Sequence, residues 1–263
     1  MPFLQNEVDR KNAEFWNELC GSGVARHLGI TDSSSESIKK FDDCYFSLYP
    51  YLKKNYLPLE KIIGKTVLEI GLGYGSVSQF LAKNAYSFIG VDIAKGPVDF
   101  LNHRLMLMEK PANARIMSAH KLDFSNNFFD FVVSIGCFHH TGNVKHCIEE
   151  AYRVLKPGGR LLFMCYNKFS LREFVSRPVE TFFSFYKESR VLDKIERLHY
   201  DHNFAGEATP FTEIFSKQRL ANLCQRFSDC KINTENVCGR LRKYFVNNLG
   251  KILGTDLYVQ CTK

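Results

Sequence analysis

The chain has 263 residues, a formal net charge of +7 and 45% hydrophobic residues, ordinary values for a globular protein. That length suits one well-buried α/β domain with an insertion and does not require two. No apolar run approaches the ~20 residues of a membrane span, and the first ten residues lack the basic-then-apolar pattern of a signal peptide. Nine cysteines are scattered without a C-x-x-C or any paired spacing. This argues against a zinc site, so no metal is expected, and favours reduced thiols in a cytoplasmic protein. The positive charge is spread, its densest group being Arg240, Arg242 and Lys243. A solvated surface is the simplest reading of such a pattern, with nucleic acid as the alternative partner.

Residues 1–60 read as helices ahead of the first strand. Phe15, Trp16 and Leu19 form one apolar face, the serines at 33–35 and 37 can cap the next helix, and Phe41, Tyr45, Leu48, Tyr49 and Leu52 follow at helical spacing. The aromatic stripe has two readings, core packing or a lid over a ligand in which Tyr45 and Tyr49 touch substrate. The run Thr66–Leu68 then reads as a buried strand. It opens through Glu69, Gly71, Gly73 and Gly75 into a helix whose apolar side is Val77, Phe80 and Leu81. Glycines let the backbone turn tightly and approach a ligand, and a helix start offers unpaired N–H groups.

Dinucleotide folds want G-x-G-x-x-G at such a turn. Here the third glycine comes one place early, and Glu69 stands two residues before the first. A carboxylate there would repel pyrophosphate but suits a ligand with a cationic amine. S-adenosylmethionine (SAM) has an ammonium group, a sulfonium and no phosphate. Asp92 ends the next apolar run, Tyr86 to Val91, about twenty residues past the glycines, where a ribose diol is usually held.

Strand and helix continue to alternate, the pattern of a parallel sheet. A helix starts at Gly96 and Pro97 and buries Val98, Leu101, Leu105 and Met108. A third strand follows near 114–117 and a fourth near 131–135. Asn143 can cap a helix burying Ile148, Ala151, Tyr152 and Leu155, and a turn at 156–159 leads to a fifth strand ending at Tyr166. The alternation stops after Asn167. Residues 168–215, rich in Phe and Tyr, read as a mostly helical cap over the active site. Ser216 can cap one more helix, and strands near 231–236 and 257–261 would close the sheet at an antiparallel edge.

From about Gly64 to Asn167 the sequence resembles the class I SAM-dependent methyltransferases. The resemblance is closest to the type 11-like group, whose later motifs read like Phe128 to Ser134, Cys137 to Gly142 and Arg153 to Gly159. The resemblance implies a Rossmann-like α/β fold with a seven-stranded, mostly parallel sheet, N-terminal helices and a helical cap, all in one domain spanning 1–263. Its parts would be lid helices at 1–60, a SAM-binding core at 61–167, the cap at 168–215 and a C-terminal helix and strands at 216–263. It also implies that Glu69, Gly71, Gly73 and Gly75 line the methionine end of SAM, that Asp92 binds the ribose hydroxyls, and that Ile93, Ala119, Ile135 and Gly136 complete the cofactor site. One departure matters. The family often has an Asp-Ala pair near the end of the third strand, its carboxylate contacting the adenine amine, whereas this chain has Ser118 and Ala119. Adenine would then be held by backbone N–H groups, by Ser118 or by His120.

The chemistry expected is methyl transfer to an O or N nucleophile of a small, partly apolar or sugar-bearing molecule. His140, in the loop after the fourth strand, is the favoured base because a histidine near its free pKa of ~6.5 accepts a proton at neutral pH. His139 is its understudy, and the alternative is that both only orient the loop or touch the cofactor. His202 in the cap is a candidate substrate contact. Two other functions stay open: an RNA methyltransferase, suggested by the positive charge, and a SAM-binding protein without catalysis or a nicotinamide enzyme.

Overall fold

The computed structural model describes residues 5–19, 22–183, 186–236 and 249–263. The basic group Arg240, Arg242 and Lys243 lies outside them. The elements in chain order are helices α1 (Gln5–Phe15), α2 (Ser22–His27) and α3 (Ser35–Leu48), then β1 (Thr66–Ile70), α4 (Ser76–Asn84), β2 (Ser87–Asp92), α5 (Lys95–Leu107), β3 (Ala114–Ile116), β4 (Phe129–Ile135), α6 (Val144–Val154) and β5 (Leu155–Tyr166). The inserted segment holds α7 (Leu171–Ser176), α8 (Pro178–Phe183), β6 (Ser189–Val191), α9 (Lys194–Leu198) and β7 (Glu213–Phe215). The chain closes with α10 (Lys217–Leu223), β8 (Asp229–Glu235), α11 (Leu249–Leu253) and β9 (Asp256–Thr262).

Seven strands form one sheet in the order β3-β2-β1-β4-β5-β9-β8. The first five are parallel; β9 pairs antiparallel with β5 and β8, the edge anticipated from sequence. Successive side chains of a strand face opposite ways, so each central strand feeds two cores. Leu68 and Val132 point into the core under α6 and α10, with Ile148, Ala151 and Leu220. Val67, Phe131 and Val133 point into the core under α4 and α5, with Leu81, Leu101 and Leu105. The turn at 156–159 is a bulge inside β5, since the register jumps from Phe129 opposite Leu155 to Phe131 opposite Arg160. Caps fall where side-chain oxygens were expected to supply them: Ser34 accepts from Ser37 N–H, Asn143 from His146 N–H and Ser216 from Arg219 N–H.

The insertion departs from the expected mostly helical cap. Its middle pairs with its end as an antiparallel ribbon, β6 with β7, and its three helices among the described residues are short. A buried cluster holds it: Arg190 binds both Glu173 and Glu196, and Glu196 completes a capping box with Asp193. Three of the cysteines that look unrelated in sequence also come together. Cys224, Cys230 and Cys261 place their sulfurs within 4.8 Å of one another, Cys230 and Cys261 as direct cross-strand partners. No helix among the described residues is long and apolar enough to cross a membrane.

Candidate active site

The chain reverses direction across the sheet between β1 and β4, so their C-terminal ends splay around a crevice, the usual ligand site of an open α/β sheet. A cavity of about 740 Å³, counting its open mouth, lies there. Its floor is Ile70, Gly71 and Gly73 from the β1 turn. Asp92 and Ile93 flank it at the end of β2, Met117 to His120 after β3, and Ile135 to Cys137 with His140 and Thr141 after β4.

Gly71 is essential to this floor. Its φ is +82°, and a Cβ would lie 2.4 Å from Cys137 Cβ, so any side chain would force the β1 and β4 ends apart. Gly75 serves differently. It is the left-handed N-cap of α4, packed on the side chain of Arg104, and does not line the cavity. Asp92 is held by its neighbours' backbones: Oδ2 accepts from Leu72 N–H at 2.8 Å and Oδ1 from Ala94 N–H at 3.0 Å. A carboxylate has about four acceptor positions; the Ile93 N–H also draws on it, and room for a ligand hydroxyl remains. Burial raises its pKa against the pull of those amides.

Glu69 lies beneath the floor, 2% exposed, with Oε2 unpartnered. It is absent from the cavity lining. Burial, above all, pushes its pKa up to about 8. The sequence reading that puts Glu69 against the ligand is therefore modified: β1 runs straight through this position, which turns its side chain into the interior.

The lid is α1. Gln5, Asp9, Asn12 and Trp16 recur at helical spacing on one face, and that face lies on the cavity. Gln5 Nε2 donates to Thr141 O at 2.8 Å, and Asn12 Nδ2 to His140 O at 2.8 Å. Trp16 packs on the His140 ring at 5.0 Å. Asn12 Oδ1 is buried and unpartnered, and the residue lines the cavity. The opposite end of this lid rests on α5, where Asn17 Oδ1 accepts from Gly96 N–H. Tyr45 and Tyr49 are elsewhere. They pack together at 5.0 Å in the aromatic cluster with Tyr51, Tyr56 and Tyr258, because the apolar face of α3 seats on the core over α4.

His140 is buried and lines the cavity. Its Nδ1 lies 2.9 Å from the carbonyl oxygen of Phe211, which can only accept. Nδ1 therefore carries the proton in the neutral ring, and Nε2 carries the lone pair. Asp201 Oδ2 lies 3.6 Å from Nε2 and accepts from the Tyr166 hydroxyl at 2.9 Å. Burial lowers the His140 pKa more than Asp201 raises it, so the ring is neutral at pH 7. His139 is wholly buried, wedged 4.1 Å from the His140 ring and 4.2 Å from Tyr166, and does not line the cavity. Burial first, then His140, holds its pKa well below the usual value. His202 is exposed in a bridge with Ala208, whereas the preceding Asp201 reaches His140. Adjacent side chains of an extended segment point opposite ways, so only one of the two could face the site.

The residues present fit SAM. The Asp92 carboxylate lines the cavity, bare backbone runs along Gly71 and Gly73, Ile93 and Met117 add apolar surface, and Asn12, whose buried Oδ1 has no partner, is part of the lining. A family model described as "Methyltransferase domain" matches residues 68–163. The phosphoethanolamine N-methyltransferase 2 of Caenorhabditis elegans is 31% identical over 108 residues, covering 40% of this chain. The mitochondrial ubiquinone biosynthesis O-methyltransferase of Rattus norvegicus is 27% identical over 133 residues, covering 46%. The matches span 24% and 39% of the length of those two relatives. A SAM-dependent methyltransferase from Archaeoglobus fulgidus shares the fold, with a TM-score of 0.56, 17% identity and 82% of this chain and 94% of that chain covered. Fold, site and family model together define a class of protein. Residues 68–163 match the methyltransferase domain, and the fold around them is that of the class I SAM-dependent methyltransferases, whose cofactor is SAM.

Proposed function

We propose that this chain transfers the methyl group of SAM to an oxygen or nitrogen of a small molecule, with His140 as the base. The observation that carries the reading is His140 itself. It lines the cavity with Nδ1 pinned by the Phe211 carbonyl and with its basic Nε2 beside the Asp201 carboxylate. A neutral imidazole can take a proton from a hydroxyl or ammonium as it becomes a nucleophile, and Asp201 favours the imidazolium that results.

SAM, when bound, supplies a methyl carbon already activated by a positive sulfur. The protein's own contribution is alignment and exclusion of water, the former worth up to ~7–11 kcal/mol in ideal intramolecular cases. Helix α1 and the turn after it cover the crevice through Asn12 and Trp16, and the inserted segment backs His140 through Asp201 and Phe211. The named relatives act, by their names, on phosphoethanolamine nitrogen and on a ubiquinone precursor oxygen, and both are small-molecule acceptors. The test is turnover of methyl-labelled SAM by the purified chain against amine, phenol and sugar acceptors, with tRNA as the macromolecular comparison. Label in a small acceptor that disappears with His140→Ala supports the reading; label only in RNA overturns it.

A further inference from the structure

We propose that Asp9, on the lid helix α1, is the residue that recognises the adenine amine of the cofactor, replacing a carboxylate that the core of this chain lacks. The inference rests on the SAM reading above and concerns which residue grips the base.

Ser118 stands at the end of β3, where the resemblance places an acid, and His120 follows two residues later. The structure brings a carboxylate back to this place from another element. Asp9 Oδ2 accepts from Ser118 Oγ at 3.0 Å, and Oδ1 lies 3.5 Å from His120 Nδ1. Gln5 Nε2 also donates to Oδ1, at 2.7 Å. Asp9, Ser118 and His120 all line the cavity, on the side that carries Asp92, Ile93, Met117 and Ala119.

The acceptor count leaves room for a ligand. Of the four positions on the carboxylate, Gln5 and His120 face two on Oδ1, and Ser118 uses one on Oδ2. One position on Oδ2 remains, on an oxygen that Ser118 already orients. Charge is in place as well. His120, Gln5 and Ser118 outweigh burial and hold Asp9 ionised, and Asp9 with Cys147 outweighs burial to push His120 up to about 10. An anionic acceptor beside an apolar slot selects a donor such as an exocyclic amine and disfavours a carbonyl oxygen at the same place.

Moving the acid from strand to lid has a consequence. In a strand-borne arrangement the base can bind before anything covers it. Here the group that reads the base sits on the same helix that contacts the His140 and Thr141 carbonyls. Seating the cofactor and covering the cavity become one event, because Asp9 cannot reach the base unless α1 is docked.

The test is calorimetric, on the full chain, with two ligands: S-adenosylhomocysteine and its 6-oxo analogue S-inosylhomocysteine. The quantity read is the ratio of their dissociation constants. Wild type is expected to prefer the amine, and Asp9→Ser to reduce that preference by roughly ten- to a hundredfold, the usual worth of a hydrogen bond to a charged acceptor. The exchange D9S/S118D, which returns the acid to β3, is expected to restore it. Should Asp9→Ser fail to fold, Asp9→Asn keeps the size and the lid packing, and its amide can donate to the 6-oxo group, so the ratio must still fall. A ratio unchanged in the folded variants, including one in which both ligands weaken equally, shows Asp9 to be only a latch for α1 and overturns the proposal. Wild type that binds neither compound would instead overturn the SAM reading on which the proposal stands.

Discussion

Asp201 comes from the insertion and His140 from the β4 loop, and they meet with 3.6 Å between Oδ2 and Nε2. Asp201 raises the His140 pKa while burial lowers it further. Removing the charge but keeping the shape, Asp201→Asn, therefore takes away the raising influence only. The acid limb of the kcat profile, set by protonation of His140, is expected to move to lower pH. The plateau should fall about tenfold, because the imidazolium formed on proton transfer loses its counter-charge. Rates measured from pH 5 to 9 check both. A limb that stays in place would show that Asp201 does not act on this ring, and one that moves upward would reverse the sign of its effect.

His140→Ala removes the proposed base. Turnover on a hydroxyl acceptor is expected to drop by about two to four powers of ten. Affinity for S-adenosylhomocysteine should change far less if, as proposed, Asp92 and the glycine turn hold the cofactor's polar groups. His139→Ala is a useful contrast. That ring does not line the cavity, so its loss should lower stability through a cavity beside Tyr166 more than it lowers chemistry. Equal effects of the two substitutions on kcat would remove the distinction drawn between them.

Gly71→Ala tests the floor. The new methyl would need both a left-handed φ of +82° and a 2.4 Å approach to Cys137 Cβ. Strain of the first kind costs on the order of 1–3 kcal/mol, and the second adds an overpacking cost of similar size. Thermal unfolding should shift down and S-adenosylhomocysteine binding should be lost. Gly158→Ala, which has the same sign of φ but open space around it, is expected to cost only the backbone strain and to leave binding intact.

The central sheet was legible because its determinants are local. Alternation of apolar runs with capped helices gives β1 to β5, and Ser34, Asn143 and Ser216 mark helix starts by their own hydrogen bonds. The glycine turn and Asp92 were legible for the same reason. What could not be read is which distant segments meet them. Asp201 looks no different from His202 until the chain direction at residue 201 is known. Nor does periodicity distinguish Tyr45 in a lid from Tyr45 in a core. One signal was present and bears on α1. Gln5, Asp9, Asn12 and Trp16 share a helical face, and a missing acid at Ser118 invites a search for a carboxylate elsewhere. The same argument applies to Cys224, Cys230 and Cys261, whose meeting depends on the β8–β9 register.

Glu69 gives the clearest dependence of stability on pH. Its folded pKa of about 8 lies above the ordinary value of 4.5, mainly through burial. The folded state thus favours the protonated form. The favourable contribution is fully present below about pH 4.5 and is lost progressively as pH rises toward 8, at no more than ~1.4 kcal/mol per pH unit. Glu69→Gln fixes a neutral group of the same shape and has no such slope. Asp256, whose pKa is also raised by burial, acts equally in both proteins and cancels in the difference, whereas Asp92 is coupled to Glu69 through its charge, a smaller influence on Glu69 than burial. Denaturant unfolding of the two proteins from pH 4.5 to 8.5 should therefore show the variant gaining on wild type as pH increases, and ending more stable at pH 8. A difference that stays flat, or that favours wild type at high pH, would mean that Glu69 is ionised and satisfied in the folded ligand-free protein.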